Sequence, residues 1–174
     1  MKAGLVVWIT GLPSAGKSTL AGHLFTRLDA LGAKACLLDG DAVRQSLSPA
    51  PGYSTAERAA FYETLARLAA LLAAQGLIVL VPATAHRRAY RERARQLAPG
   101  FVEVWIDTPL AECVARDSKG LYRASRTGSA TTVPGADEPY EPPSAPDFTA
   151  HGATDRSELE QLARCVLNAH GSPR

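Results

Sequence analysis

Leu5-Val6-Val7-Trp8-Ile9-Thr10-Gly11-Leu12-Pro13-Ser14-Ala15-Gly16-Lys17-Ser18-Thr19 decides the fold. Its first six residues form a short apolar run rich in β-branched side chains. A strand of that kind is covered on both faces, as the strands of a parallel sheet are. Gly11 to Ser18 then reads Gly-x-x-x-x-Gly-Lys-Ser, and an apolar 3–4 pattern (Leu20, Leu24, Leu28) follows until Gly32. Strand, glycine turn and helix are the context that a phosphate-binding loop requires. The glycines let main-chain N–H groups turn inward around phosphate oxygens, and the helix N-terminus adds positive partial charge. Lys17 reaches β- and γ-phosphates and Ser18 can ligate Mg²⁺, so the bound group is a nucleoside triphosphate.

Working outward, Ala35 to Leu38 reads as a second buried strand ending in Asp39-Gly40-Asp41, and Ser48 to Gly52 as a loop. A long helix is expected from Thr55 to Gln75, a strand over Leu77 to Val81, a charged helix from His86 to Ala98, a strand over Phe101 to Ile106 and a short helix from Pro109 to Arg116. Apolar periodicity then disappears from about 118 to 146, a length typical of functional lids. Asp147 to Thr149 reads as a last short edge strand. Ser157 and Glu160 have capping-box spacing before an amphipathic C-terminal helix. The alternation predicts one α/β domain over 1–174, a three-layer P-loop NTPase fold. It has a parallel sheet of about five strands flanked by helices and a lid loop, and ligands bind at the carboxyl ends of its strands.

Composition narrows the classes. Of 174 residues, 46% are hydrophobic and 21% charged, a globular balance, and the net charge of +2 gives no reason to expect nucleic acid or a membrane surface. Three separated cysteines and four scattered histidines support neither a disulfide framework nor a zinc site. No signal-peptide anatomy or membrane-length apolar run is visible, so the expectation is a soluble cytoplasmic protein.

A triphosphate site needs an acceptor. Asp39 and Asp41 end the second strand, so both carboxylates face the same cleft as the loop. One can orient an acceptor hydroxyl and take its proton while the other holds a Mg²⁺-bound water. Arg44, Arg58 and Arg88 are candidates to converge on an anionic acceptor.

The stretch Trp8 to Ala21, Leu38-Asp39-Gly40-Asp41-Ala42-Val43-Arg44, Gly52-Tyr53-Ser54 with Arg58, Gly76 to Val81, Val104 to Pro109, Arg116-Asp117, Lys119-Gly120-Leu121-Tyr122 and Asp137 to Pro142 follow in order and spacing the pattern of adenylylsulfate (APS) kinases, which this chain resembles over about Leu5 to Asp147. The family uses ATP·Mg²⁺ to phosphorylate the 3′-hydroxyl of adenosine 5′-phosphosulfate, giving PAPS and ADP in sulfate assimilation. The resemblance implies that Gly11, Leu12, Pro13, Ser14, Ala15, Gly16, Lys17, Ser18 and Thr19 hold the ATP phosphates and that Arg116 lies near the ATP base. Asp41 is then the base or hydroxyl-orienting group, supported by Asp39. Arg44, Arg58, Arg88 and Lys119 meet the acceptor, and Tyr53 stacks on its base. Lys119 and the loop through about Tyr140 form a water-excluding lid. Many members of that family are dimers, so a homodimer is a further expectation.

The chain departs from the family pattern on the acceptor side. Phe61 replaces a substrate-contacting Asn and is itself a candidate acceptor contact, while Glu63 and Thr64 replace two arginines. Ser-Phe-Ile-Ser-Pro becomes Pro82-Ala83-Thr84-Ala85-His86, and Phe-Thr-Gly becomes Val133-Pro134-Gly135. Two alternatives therefore stand beside an APS kinase: a kinase on the same scaffold with another hydroxyl acceptor, and a nucleotide-binding module without turnover.

Overall fold

The computed structural model describes residues 3–128, 132–152 and 155–171. Five parallel strands, β1 (Leu5–Thr10), β2 (Ala35–Leu37), β3 (Ile78–Pro82), β4 (Phe101–Ile106) and β5 (Phe148–Ala150), lie in the order β2-β3-β1-β4-β5. After β1 the chain goes out to the edge strand β2 and returns to β3, between β2 and β1. It then crosses to the other side of β1 for β4. The strand order therefore reverses at β1, and the crevice beyond its carboxyl end is where such sheets bind ligands.

Period-two alternation divides the central strand between two cores. Leu5, Val7 and Ile9 pack with Leu20, Leu24 and Leu28 of α1 (Lys17–Ala30) and with Leu162 and Val166 of α7 (Arg156–Gly171). Val6 and Trp8 face the opposite way, onto Leu65 and Ala69 of α3 (Thr55–Ala74) and Ala94 of α4 (Arg88–Leu97). Trp8 also stacks on Phe101, ring centroids 6.5 Å apart. All six β1 residues are buried, and each large apolar one contributes about 1.5–3 kcal/mol. The loop after β1 therefore hangs from a fixed strand end.

The helices start where local chemistry allows. Ser54 and Glu57 form a reciprocal capping box at the start of α3. The spacing of Ser157 and Glu160 proves misleading: Asp155 Oδ1 accepts the Glu158 N–H at 2.8 Å, so α7 begins two residues earlier than that box would place it. Glu160 instead pairs with Arg27 of α1, 2.8 Å away.

Two short helices escape the sequence reading. The seven residues of α2 (Gly40–Ser46) follow β2 directly, with Asp39 as N-cap. Within the expected lid, after α5 (Leu110–Arg116), lies α6 (Leu121–Arg126). The lid is not coreless either, for Tyr122 and Val133 are buried in the α1 core. Its residues 129–131 lie outside the described residues.

Candidate active site

Gly11 to Thr19 wrap the carboxyl end of β1. Gly11 and Gly16 take φ of +155° and +102°, and Gly16 caps α1 with no side-chain acceptor and no acidic residue in the first turn. That leaves the first-turn N–H groups of a 14-residue helix to an anion. The loop is braced from outside: Tyr122 Oη donates to Pro13 O at 3.0 Å and Thr108 Oγ1 to Ala15 O at 3.2 Å. Lys17 Nζ folds back on the loop, donating to Leu12 O at 2.7 Å and Gly11 O at 3.1 Å. Burial, reinforced by the charge of Lys119, lowers its pKa from 10.5 to about 8, against a partial upward pull from Asp41 and Asp39.

The two aspartates divide their labour. Asp39 Oδ1 accepts the N–H groups of Asp41 (2.9 Å) and Ala42 (3.2 Å), and its Oδ2 accepts from Ser18 Oγ at 2.7 Å. It therefore ties the first turn of α2 to the phosphate loop. Asp41 carries its carboxylate free of the cap, exposed to the cleft and ion-paired with Lys119 at the root of the lid. Ser18 and Asp39 offer adjacent exposed oxygens, a donor set suited to a hard divalent cation that keeps waters and phosphate oxygens as its other ligands.

Arg44 and Arg58 do come together, around Tyr53. The Arg44 guanidinium lies 3.8 Å from the Phe61 ring centroid and 4.5 Å from that of Tyr53, and Nη1 donates to Gly52 O (2.7 Å) and Pro51 O (3.1 Å). Arg58 donates through Nε to Tyr53 O at 2.8 Å and through Nη2 to Thr132 O of the lid at 2.5 Å. Both arginines are buried, whereas Tyr53 is 46% exposed and offers an open ring face. Phe61, only 3% exposed, packs in the α3 core beneath Arg44, so it acts on the cleft through that guanidinium. Arg88 does not join this group; it is exposed and donates to Pro142 O at 3.3 Å. Arg116 sits by the loop, with Nη1 3.5 Å from Ala15 O and Nη2 3.1 Å from Glu112.

A second opening, a cavity of about 550 Å³, lies on the β4 side of the loop between Leu12, Trp105, Asp107 and the lid residues Gly135, Glu138 and Tyr140. It does not include Asp41 or the arginines, so it is distinct from the cleft where the acceptor groups gather.

Sequence reasoning missed several residues that seat the lid. Thr10 Oγ1 donates to Thr84 O at 2.7 Å and lies 3.0 Å from Tyr140 Oη, pinning the lid's return to the end of β1. Arg91 reaches Glu141 O at 2.6 Å. His86 and Glu138 also meet there. Thr10, Glu138 and Tyr140 stood in quoted motifs and His86 in a quoted departure, though none with this role; Arg91 carries no local signal.

A sequence model of the family described as "Adenylylsulphate kinase" matches residues 3–151. The adenylyl-sulfate kinase of Synechococcus sp. (strain JA-3-3Ab) is 42% identical over 171 residues, covering 98% of this chain and 97% of its own. That of Picosynechococcus sp. (strain ATCC 27264 / PCC 7002 / PR-6) is 41% identical over 164 residues, covering 94% and 92%. Among solved structures, the Mycobacterium tuberculosis APS kinase CysC, in complex with AMPPNP and APS, superposes with a TM-score of 0.87 at 40% identity, covering 99% of this chain and all of that one.

Proposed function

We infer the function from one premise: this chain belongs to the adenylylsulphate kinase family. It is a phosphotransferase that uses ATP and Mg²⁺ to phosphorylate the 3′-hydroxyl of adenosine 5′-phosphosulfate, giving PAPS and ADP. The observation that carries this reading in the molecule itself is the Asp41 carboxylate, exposed at the start of α2 beside the phosphate loop and ion-paired with Lys119, together with the two arginines gathered around Tyr53.

The residues divide as follows. The loop amides and Lys17 take the triphosphate, with Lys17 exchanging its two carbonyl partners for phosphate oxygens. Ser18 and Asp39 would hold the Mg²⁺, which neutralises developing phosphate charge when bound. Arg116 lies by the loop toward the donor nucleoside. Arg44, Arg58 and Lys119 supply positive charge to the acceptor's phosphosulfate, and Tyr53 offers its exposed face to the acceptor's base. Asp41 accepts the hydroxyl proton as the new O–P bond forms and the bond to ADP breaks; Lys119 holds that carboxylate in place until the acceptor arrives. The lid keeps water from competing for the phosphoryl group.

Among the described residues no helix is long and apolar enough to cross a membrane. All three cysteines are free thiols, which suits the reducing cytoplasm we propose as the location.

Coupled ADP release with APS, run on the wild type and on Asp41→Ala, tests the assignment. The variant is predicted to lose about 10²–10⁴-fold in kcat with little change in KM for ATP. A variant that instead loses ATP binding moves Asp41 from acceptor chemistry to the metal. A wild type inert toward APS but active on another hydroxyl compound removes APS as the acceptor.

A further inference from the structure

His86 is a departure from the family pattern that the reaction as described does not use. Its ring is only 1% exposed, inside a protein where most polar side chains stay wet. Neither ring nitrogen has an aligned hydrogen bond among the described residues. One polar side chain comes close: Nε2 lies 2.9 Å from Glu138 Oε1, short enough for a hydrogen bond but off the line of the ring N–H. Burying an imidazole without a partner is costly, so the contact with that carboxylate is what makes the buried position tolerable.

The backbone around His86 is built to hold it there. Ala85 takes φ of +39°, a strained conformation for a residue with a Cβ. Tyr62 Oη accepts the Ala85 N–H at 3.0 Å, Arg91 Nη1 donates to Ala85 O at 2.5 Å, and the Glu141 N–H donates to His86 O at 2.8 Å. Glu138 sits on the lid and gathers cations from the fixed body. Arg87 Nη2 is 3.2 Å from its Oε1, and Arg58 Nη1 is 3.8 Å from its Oε2. Its own lid strand is folded around it, with Gly135 N–H donating to Glu138 O at 2.7 Å and Thr132 Oγ1 3.4 Å from Oε2.

We propose that His86 and Glu138 form a latch that seats the lid on the acceptor side and positions Arg58. Both are positioning residues: the lid brings a carboxylate down onto a buried imidazole and two arginines, one of which is an acceptor arginine. The proposal rests on the acceptor reading of Arg58 given above. Groups facing His86 are Glu138 on the lid, Arg58 and Tyr62 on α3, Tyr90 on α4 (ring centroids 5.6 Å apart) and the adjacent Arg87. Burial lowers the pKa of His86 below its usual 6.5, with Glu138 pulling partly the other way. With the lid raised the ring returns to water and to its ordinary value. Proton binding therefore favours the raised lid, and the latch weakens as pH falls below about 6.5.

The experiment has two independent readouts on wild type, Glu138→Gln, His86→Ala and His86→Gln. Hydrogen exchange of residues 132–140, measured without acceptor, reads the latch alone. Steady-state kinetics with APS and ATP varied separately, from pH 5.5 to 8, read its consequence. Glu138→Gln and His86→Ala are expected to speed lid exchange and raise KM for APS about tenfold or more, the size of one lost charged hydrogen bond. KM for ATP should stay within about twofold. Wild-type KM for APS should climb on acidification, and His86→Gln, which keeps a donor but cannot titrate, should flatten that climb. Glu138→Gln changes a lid residue outside the core, so it answers even if His86→Ala misfolds. Wild-type lid exchange in Glu138→Gln overturns the latch. A chain that ignores APS while its lid exchange still responds to these variants overturns the acceptor reading and leaves the latch standing.

Discussion

Lys17 makes its two contacts to carbonyl oxygens in a half-buried position, and its depressed pKa follows from that position. An ammonium whose pKa is about 8 before ATP arrives has a consequence for binding. The triphosphate favours the charged form, so above pH 8 binding must first take up a proton. We predict that calorimetric affinity for Mg·ATP is level from pH 6.5 to 7.5 and then falls, approaching roughly tenfold per pH unit beyond 8. Lys17→Arg, which stays charged throughout, should bind more weakly but without that slope. A wild-type profile flat to pH 9.5 would sink the idea. At this scale the phosphate loop was legible because the motif encodes main-chain geometry directly. The arginines were only half legible. A sequence displays that Arg44 is charged, but not that its guanidinium is laid between Phe61 and Tyr53 and spent on the carbonyls of Pro51 and Gly52.

The lid shows what periodicity misses at the level of elements. It reads as a stretch without core pattern because its anchors are isolated: Tyr122 is the one buried residue of the six-residue α6, and Val133 and Tyr140 lie in no helix or strand. Each is nonetheless docked, the first two in the α1 core and the third on Thr10. α2 was overlooked for a related reason: seven residues are too few to display a face, and only the Asp39 cap marks its start. Gly135 packs closely against Leu12 of the phosphate loop. It takes φ of +89°, and a Cβ there would stand 2.4 Å from Leu12 Cδ2. Gly135→Ala is predicted to cost about 1–2 kcal/mol through the backbone alone, raising hydrogen exchange in residues 133–138 and lowering kcat/KM by about tenfold. Leu12 is flexible and can yield, so Leu12→Ala placed in that background should recover only the steric part. Full recovery would mean that the left-handed backbone is not what the glycine supplies.

At the scale of the molecule, the alternation of strands and helices made the parallel sheet legible. The position of β1 between β3 and β4 had no local signal, since all three are short, mainly apolar strands. Nor was it visible what joins the sheet to the lid. Arg91 does so from α4, only 1% exposed. Nε donates to Glu103 Oε1 of β4 at 2.8 Å, Nη1 to Ala85 O at 2.5 Å and Nη2 to Glu141 O at 2.6 Å. One guanidinium thus serves a strand, the segment after β3 and the returning leg of the lid. Removing Arg91 leaves the buried Glu103 to its longer contact with Arg95, 3.4 Å away, so the loss sits near the lower end of the about 3–5 kcal/mol of a broken buried pair. For a chain of this length Arg91→Ala should therefore lower the unfolding midpoint by about 10 °C. Arg91→Met with Glu103→Leu removes both charges and should be less damaging than the single change. It should not reach wild type, because the Ala85 and Glu141 carbonyls lose their donors. Thermal unfolding followed by circular dichroism decides it. If the double variant melts below the single one, the cost lies in lost packing and not in a stranded Glu103. If Arg91→Ala melts within about 2 °C of wild type, under roughly 1 kcal/mol, this arginine does not hold the three parts together.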